Sequence, residues 1–264
     1  MTLIELQPWD LALAAGLVLL LPLLSWRLHL GVARRVLVAA ARSAVQLLLI
    51  GLVLKALFAQ TSLPLIALMA LVMLAAAGWE VMARQTRRYT GPWGYGIGAI
   101  SMFLSSFAIT VLALTVIVGV EPWYQPQYLI PMLGMLLGNT MNGIAIALEN
   151  LTRNAWEARG AIEARLLLGA SWDEAIADLR RDSLRAGLIP IVNAMAAAGL
   201  VSLPGMMTGQ ILAGADPLEA AKYQILIIFL IASGTGLGSI AAVWLGAQRL
   251  FDARQRLRLD RLRN

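Results

Sequence analysis

Long apolar segments separated by short polar connections constrain this chain more than any other feature. Hydrophobic residues make up 59% of the sequence and charged residues 14%, whereas soluble domains average about 45–50% and about 25%. A helix needs roughly 20 apolar residues to cross the hydrocarbon core of a bilayer. The sequence therefore predicts an all-α polytopic membrane protein. The seven predicted spans are residues 9–26, 36–58, 63–83, 97–120, 129–148, 187–203 and 223–247.

Basic residues concentrate in every second connection. If the N-terminus lies outside, the inner connections and the C-terminal tail hold 18 of the 21 Lys and Arg residues. Cytoplasmic loops of membrane proteins carry such an excess of Lys and Arg. We therefore predict seven spans with the N-terminus outside and the C-terminus in the cytoplasm. Residues 1–264 would form one transmembrane domain, with a cytoplasmic segment at 151–186 and a basic tail at 248–264.

Several kinds of chemistry are excluded by the sequence itself. The chain has no Cys and a single His, His29, so disulfides, thiolate metal sites and paired-imidazole sites are ruled out. It contains neither a GxxxxGK[ST] phosphate loop nor an HExxH motif, so the residues support no nucleotide hydrolysis and no obvious hydrolase. We expect no enzyme activity and no cofactor in this chain. The positive charge follows the loops, so we expect lipid contacts and no nucleic acid.

Two stretches interrupt the series of apolar spans. Residues 151–186 are rich in Ala, Leu, Glu and Arg, which favours one or two short helices joined near Gly169. After Leu203 the chain continues with Pro204 and Gly205, a pair that should kink or end a helix. Irregular backbone at membrane depth is tolerated only where it is buried in protein or lines a wet cavity.

The cytoplasmic segment contains EARLLLG at 163–169, which fits the EAA-xxx-G pattern with which ABC permeases present a short coupling helix to their ATPase. In that interpretation Glu163, Ala164, Arg165 and Gly169 contact the partner, and the glycine forms the turn after the helix. The alternative is an amphipathic helix that lies at the headgroups with its Arg side chains extended toward them.

Four stretches and a short motif occur in a distinctive order. They are ARSAVQLLLIGLVLKALF at 41–58, PMLGMLLGNTMNGIAIALENL at 131–151, EARLLLGAS at 163–171, VSLPGMMTGQILAGADP at 201–217 and KYQ at 222–224.

Together these stretches resemble the FetB-type family of ABC permeases, a family of iron exporters, over nearly the whole chain. The resemblance implies a homodimeric permease of the bacterial inner membrane. It also implies a separately encoded FetA-type subunit that binds ATP and Mg. Plant relatives are associated with aluminium tolerance, so the substrate could be iron or another metal ion.

Arg42 is the most unusual residue inside a predicted span. It lies about two turns from the cytoplasmic end of the second span, and Gln46 is one turn deeper on the same face. A buried guanidinium requires a carboxylate, which Glu80 or Glu149 could supply. Alternatively, Arg42 extends to the inner headgroups.

The fifth predicted span carries two amides and three glycines. Asn139 and Asn142 are three residues apart, and Gly134, Gly138 and Gly143 predict a thin face that another helix backbone can approach. This face is expected at a helix interface. Whether that interface is the dimer seam, and whether the amides also line the transport pathway, the sequence leaves open.

Methionines and carboxylates are the remaining candidates for metal contacts. Thioethers suit copper(I) better than iron, and Met often fills gaps in cores. Among the methionines, Met206 and Met207 are the pathway candidates because they follow the predicted break. A hard iron ion favours carboxylates, and Glu149 is the single candidate metal ligand.

Three classes of protein fit a chain of this kind. We favour the permease subunit of an ABC exporter, in which a separate ATPase drives the change between inward and outward access. A secondary transporter or channel working alone would need coupling-ion sites near the midplane and often shows paired broken helices, whereas only one clear break is evident here. A non-transporting scaffold would leave the polar residues of the second and fifth spans unexplained.

Overall fold

The structure is a computed structural model that describes residues 7–59 and 62–263. The chain divides into two compact units. The first contains Met1–Ser62 and Leu212–Gly214, and the second contains Leu63–Ile211 and Ala215–Asn264.

Two helices, α1 (Pro8–Arg27) and α2 (Ala33–Phe58), make up most of the first unit and pack against each other. Pro at the first helical position of α1 is favoured because its missing N–H would have no partner there. The short connection is stabilised by a hydrogen bond from the Val32 N–H to the Ser25 hydroxyl, 3.2 Å long. Both helices are long and apolar enough to cross a membrane.

The second unit contains the other helices, except for the last residue of α10, and two very short strands. A π-helical turn follows α4 and another follows α5, so Trp93–Ile117 forms one continuous helical span. Strand β1 (Arg88–Tyr89) pairs antiparallel with β2 (Leu262–Arg263). The helices are α3 (Leu63–Arg84), α4 (Trp93–Met102), α5 (Ala108–Leu112), α6 (Pro126–Glu157), α7 (Arg159–Leu167), α8 (Trp172–Ala175), α9 (Ala177–Ala197), α10 (Gly205–Leu212) and α11 (Pro217–Arg249).

Six helical segments among the described residues are long and apolar enough to span a bilayer. They coincide with six of the seven predicted spans, so the all-α polytopic class is confirmed. The segments are Trp9–Arg27, Ala33–Phe58, Leu63–Ala83, Trp93–Ile117, Pro126–Glu157 and Pro217–Arg249.

The predicted span at 187–203 is not one helix. Helix α9 begins ten residues earlier than predicted and ends at Ala197, so only its second half is apolar. Gly199 then adopts a φ of +85°, a backbone conformation that glycine reaches without strain. The Ser202 N–H donates back to the Ala197 carbonyl. The predicted break therefore exists, but the helix ends before Pro204 is reached.

Helix α6 lies at the centre of the second unit and packs against α3, α9 and α11. Small residues allow this close packing, as is common between membrane helices. A Cβ at Gly143 would lie 2.5 Å from Thr235 Cγ2, whereas a Cβ at Gly138 would have no atom within 4 Å. The prediction that Gly143 and Gly138 share one face is therefore wrong. Gly143 lies five residues after Gly138 and therefore points to a different side of α6. It faces α11 and α9 within the chain.

The connections that the sequence predicts as cytoplasmic meet at one end of the second unit, here called the basic end: residues 84–92, 157–177 and 249–263. Strands β1 and β2 pair there, and the buried Tyr89 hydroxyl donates to the Gly246 carbonyl, 2.8 Å away. At the opposite end, Ile117 and Val118 line a cavity of ≈ 230 Å³ with Lys222, Tyr223 and Leu226. Helix α11 therefore starts at the opposite end and ends at the basic end.

Candidate functional site

The segment with the EAA-like pattern forms two short helices joined at Gly169, as predicted. Helix α7 ends at Leu167, and Gly169 has a φ of +93°. Ser171 and Glu174 then form a capping box at the start of α8. Hydrogen bonds from Ser171 lower the pKa of Glu174. Leu167 and Leu168 are each 88% exposed, so the turn presents an apolar tip to its surroundings.

The four predicted coupling residues have different environments in this segment. Glu163 and Ala164 are exposed on α7, and the neighbouring Ile162 is buried and fixes the helix to the protein. Arg165 connects α7 to the next helices, because its guanidinium lies 3.2 Å from the Ala175 carbonyl oxygen and 3.3 Å from the Asp178 carboxylate. Arg165 therefore supports the segment from within, and its contact with an ATPase remains a prediction.

A compact loop follows α11 and is here called the tail loop (residues 250–258). The Arg258 N–H donates to the Leu250 carbonyl at 2.7 Å. Inside the loop, the Asp252 carboxylate accepts the backbone N–H groups of Arg254 and Arg256 and pairs with the Arg256 guanidinium. The Arg256 hydrogen bonds are the main cause that lowers the pKa of Asp252 to about 2.

The tail loop is attached to the segment with the EAA-like pattern, here called the coupling segment after its predicted role (α7, the Gly169 turn and α8). The Trp172 N–H donates to Gln255 Oε1 at 2.9 Å, and the Trp172 and Phe251 rings lie 5.7 Å apart between centroids. Between the two segments is a groove of ≈ 930 Å³. It is lined by Glu163, Leu166, Leu167, Gly169, Ala170, Ser171 and Glu174 on one side and by Ala253, Arg254, Gln255, Arg256 and Leu257 on the other.

From the sequence, the tail is predicted only to be basic and cytoplasmic, and the groove is not predicted. No local motif signals it, since Trp172 and Gln255 are separated by 83 residues. The alternation of Arg and Asp around Asp252 would have been the one available sign of a structured loop.

Asn142 and Glu149 lie on the α6 face next to the end of α3. Arg84 donates a hydrogen bond to the Asn142 side-chain oxygen, and the Thr86 N–H donates to Glu149 Oε2 at 2.7 Å. The Arg84 guanidinium also lies 3.9 Å from Glu80. We call Glu80, Arg84, Asn139, Asn142 and Glu149 the polar ribbon.

Asn139 is exposed in the chain, and its amide donates to the Met135 carbonyl of its own helix. The sequence predicts Asn139, Asn142 and Glu149 as candidate residues, whereas Arg84 lies just outside the predicted span 63–83. The overlooked signal is that Arg84 follows Glu80 by four residues, which places both on one helix face.

A metal ligand role for Glu149 remains a prediction. One of its oxygens accepts the Thr86 N–H. Within residues 7–59 and 62–263, no group of three or more His, Asp or Glu side chains could hold a metal ion together. Met206 and Met207, the other candidates, lie in the first turn of α10 and are partly buried.

Arg42 and Gln46 lie on α2 in the first unit, four residues apart and therefore on one face. Their predicted partners Glu80 and Glu149 belong to the second unit. The pairing of Arg42 with either carboxylate remains a prediction.

The apolar spans and the helices at the basic end define the class of this chain, a multi-pass α-helical membrane protein. The model of the Uncharacterised protein family (UPF0014) matches residues 8–251. The chain belongs to the UPF0014 family, and its resemblance to FetB-type proteins is confirmed.

Three relatives illustrate the range of the family. The UPF0014 membrane protein slr1647 of Synechocystis is 40% identical, covering 97% of this chain and 98% of the relative. The probable iron export permease protein FetB of Escherichia coli is 36% identical, covering 96% of each. Protein ALUMINUM SENSITIVE 3 of Arabidopsis thaliana is 33% identical, covering 89% of this chain and 84% of the relative. No solved structure matches the chain.

Proposed function

We propose that this chain is the permease subunit of an ABC transporter that exports iron or another metal ion, driven by a separate ATPase subunit. The observation that carries the proposal is the coupling segment, a short helix with a Gly169 turn and an apolar tip at Leu167 and Leu168. Such a tip is suited to insertion into a cleft of a soluble partner. The permease itself has no catalytic role, and ATP and Mg bind to the partner.

The proposed topology has seven crossings, with the N-terminus outside. The sixth crossing consists of α9, the turn after Ala197 and α10. This assignment is supported by the ends of the neighbouring helices, because α8 lies at the basic end and α11 starts at the opposite end. Helix α11 has 33 residues, about 50 Å of rise, so the chain between α8 and α11 has to cover the thickness of the membrane.

The polar ribbon is the proposed lining of the transport pathway. Asn139 and Asn142 are exposed within the apolar part of the spanning helix α6, and polar groups in a membrane normally face a protein interior or a wet cavity. A homodimer would cover the ribbon with its counterpart in the second copy. The open surface at Gly138 lies one turn from Asn142 and would permit close approach of the partner helix.

The names of two relatives support the proposed substrate. The name of the Escherichia coli relative states probable iron export, and the name of the Arabidopsis relative refers to aluminium. We therefore infer a metal ion as cargo. The proposed location is the bacterial inner membrane. The second candidate function is a transporter or channel that works alone, which the broken α9–α10 region would suit.

The test uses the apolar tip. Leu167→Asp with Leu168→Asp should abolish co-purification of the ATPase subunit and ATP-dependent metal transport in proteoliposomes, because carboxylates oppose insertion into an apolar cleft. Arg159→Asp is the control, since it adds a carboxylate at the other end of α7, where acidic residues suit the helix dipole. ATP-independent transport by the chain alone, unaffected by the tip variant, would favour the stand-alone alternative.

A substitution at Gly169 would not test docking alone. Its φ of +93° strains any other residue, although a Cβ there would have no atom within 4 Å. A bulky side chain such as Trp at position 169 would therefore disturb the turn as well as docking, and loss of binding would not distinguish the two effects.

A further inference from the structure

We propose that the tail loop is the second wall of the ATPase docking site, so that the partner binds in the groove between the tail loop and the coupling segment. This inference rests on the proposed function, and it adds a surface that the EAA-like pattern does not contain. The groove measures ≈ 930 Å³, which is large enough for a partner side chain and its flanking backbone.

The tail loop is held in a defined conformation by its own hydrogen bonds and by a contact with the coupling segment. Asp252 organises the loop through the N–H groups of Arg254 and Arg256, and Gln255 at its apex has a φ of +57°. A positive φ in a residue other than glycine is unfavourable unless the surroundings hold it. Here the Gln255 side chain accepts the Trp172 N–H, so the loop and the coupling segment fix each other's position.

The charges of the two walls indicate the chemistry of the occupant. Glu174 is engaged in the capping box and Arg256 is paired with Asp252. Neither Glu163 on one wall nor Arg254 on the other forms an ion pair with any residue in the described part of the chain. An ATPase segment that fits would place an apolar side chain against Leu166 and Leu167, a carboxylate near Arg254 and a basic group near Glu163.

The tail loop also has direct connections to the spans. The Arg261 guanidinium donates to the carbonyls of Arg249 and Phe251, at 2.9 and 3.0 Å. Next to it, β2 pairs with β1 in the connection between α3 and α4. If the ATPase displaces the tail loop, it would therefore move α11 and this connection. Displacement of α7 and α8 by the ATPase would in addition move α6 and α9.

Charge reversal in the tail loop tests the inference. Arg254→Glu should weaken binding of the purified ATPase subunit to the permease in nanodiscs about tenfold, which corresponds to about 1.4 kcal/mol. Arg263→Glu is the matched control, because it makes the same charge change in the same tail but lines a different cavity with Tyr89 and Thr90. The control should bind like the wild type.

A photo-crosslinking amino acid provides a second measurement that does not depend on charge. Placed at 254 or at 163, it should crosslink to the ATPase subunit, and at 263 it should not. Crosslinks at 163 without crosslinks at 254, together with wild-type binding by Arg254→Glu, would overturn the tail-loop inference and leave the proposed function intact. If the Leu167 and Leu168 variant also bound normally, the proposed function itself would fail.

Discussion

Helices α6 and α9 cross at two glycines, Gly143 and Gly187. A Cβ built on Gly187 would lie 2.7 Å from the Gly143 carbonyl oxygen and 2.9 Å from Ala147 Cβ. Both distances are shorter than van der Waals contact, so the two backbones touch without intervening side chains. The crossing holds α9, which follows the coupling segment, against the central helix.

This crossing predicts the effect of single methyl groups. Gly143→Ala or Gly187→Ala should lower the free energy of unfolding by about 1–3 kcal/mol, the usual cost of overpacking. Gly236→Ala in α11 is the control, since a Cβ at this position has no atom within 4 Å, and it should have little effect. Thermal unfolding in detergent measures the difference, and equal stability of all three variants would show that the helices can separate.

The proposed dimer predicts a different result for a larger side chain at position 138. Gly138→Leu should leave the protomer folded, because the surrounding space is open, but it should hinder assembly by separating the two backbones. Crosslinking and mass measurements in nanodiscs report the oligomeric state. Unchanged dimerisation would show that Gly138 does not lie in the dimer interface.

The buried hydroxyl of Tyr89 predicts a stability effect at the basic end. Burial raises the pKa of its phenol, and the hydroxyl donates to the Gly246 carbonyl at 2.8 Å. Tyr89→Phe should therefore cost about 0.5–1.5 kcal/mol. Tyr95→Phe should cost less, because the Tyr95 bond to the Ala75 carbonyl is 3.4 Å long and more exposed. Chemical unfolding of the two variants compares them directly.

The low pKa of Asp252 predicts how the tail loop responds to pH. The folded pKa is about 2, below the ordinary value of 3.8, so the stabilisation by the ionised carboxylate is fully present above about pH 4 and is lost as the pH falls toward 2. Hydrogen-exchange protection of the Arg254 and Arg256 amides, corrected for intrinsic rates, should be constant from pH 5 to 8 and should fall steeply as the pH approaches 2. Asp252→Asn should lower it at neutral pH. Constant protection at pH 2 would contradict the role of the carboxylate.

The proposed topology is testable on this chain because it has no cysteine. Arg87→Cys should be protected from a membrane-impermeant thiol reagent added from the periplasm, whereas Glu121→Cys, between the fourth and fifth spans, should react. Labelling of position 87 in intact cells would show that the orientation is the reverse of the proposed one. A tag on the C-terminus should be accessible only after the membrane is opened.

The sequence was sufficient for the properties that depend on local composition. A run of about 20 apolar residues in a bilayer has to form a helix, because no other arrangement satisfies its backbone there. This reasoning predicted the six candidate spans of the described residues. Helix propensity and the Pro204–Gly205 pair predicted one or two short helices joined near Gly169 and a break near Pro204. The turn at Gly169 was likewise predicted, because a glycine directly after a helix readily forms one.

Only the tertiary structure could decide which distant residues meet. Gly143 was expected to share a face with Gly138, yet it packs against Gly187, because rotation along the helix and the position of the next helix determine each glycine's neighbour. The contact of Trp172 with Gln255 joins residues 83 positions apart. Periodicity and loop charge constrain each segment separately, whereas the groove and the polar ribbon exist only when α3, α6, α7 and the tail are placed together.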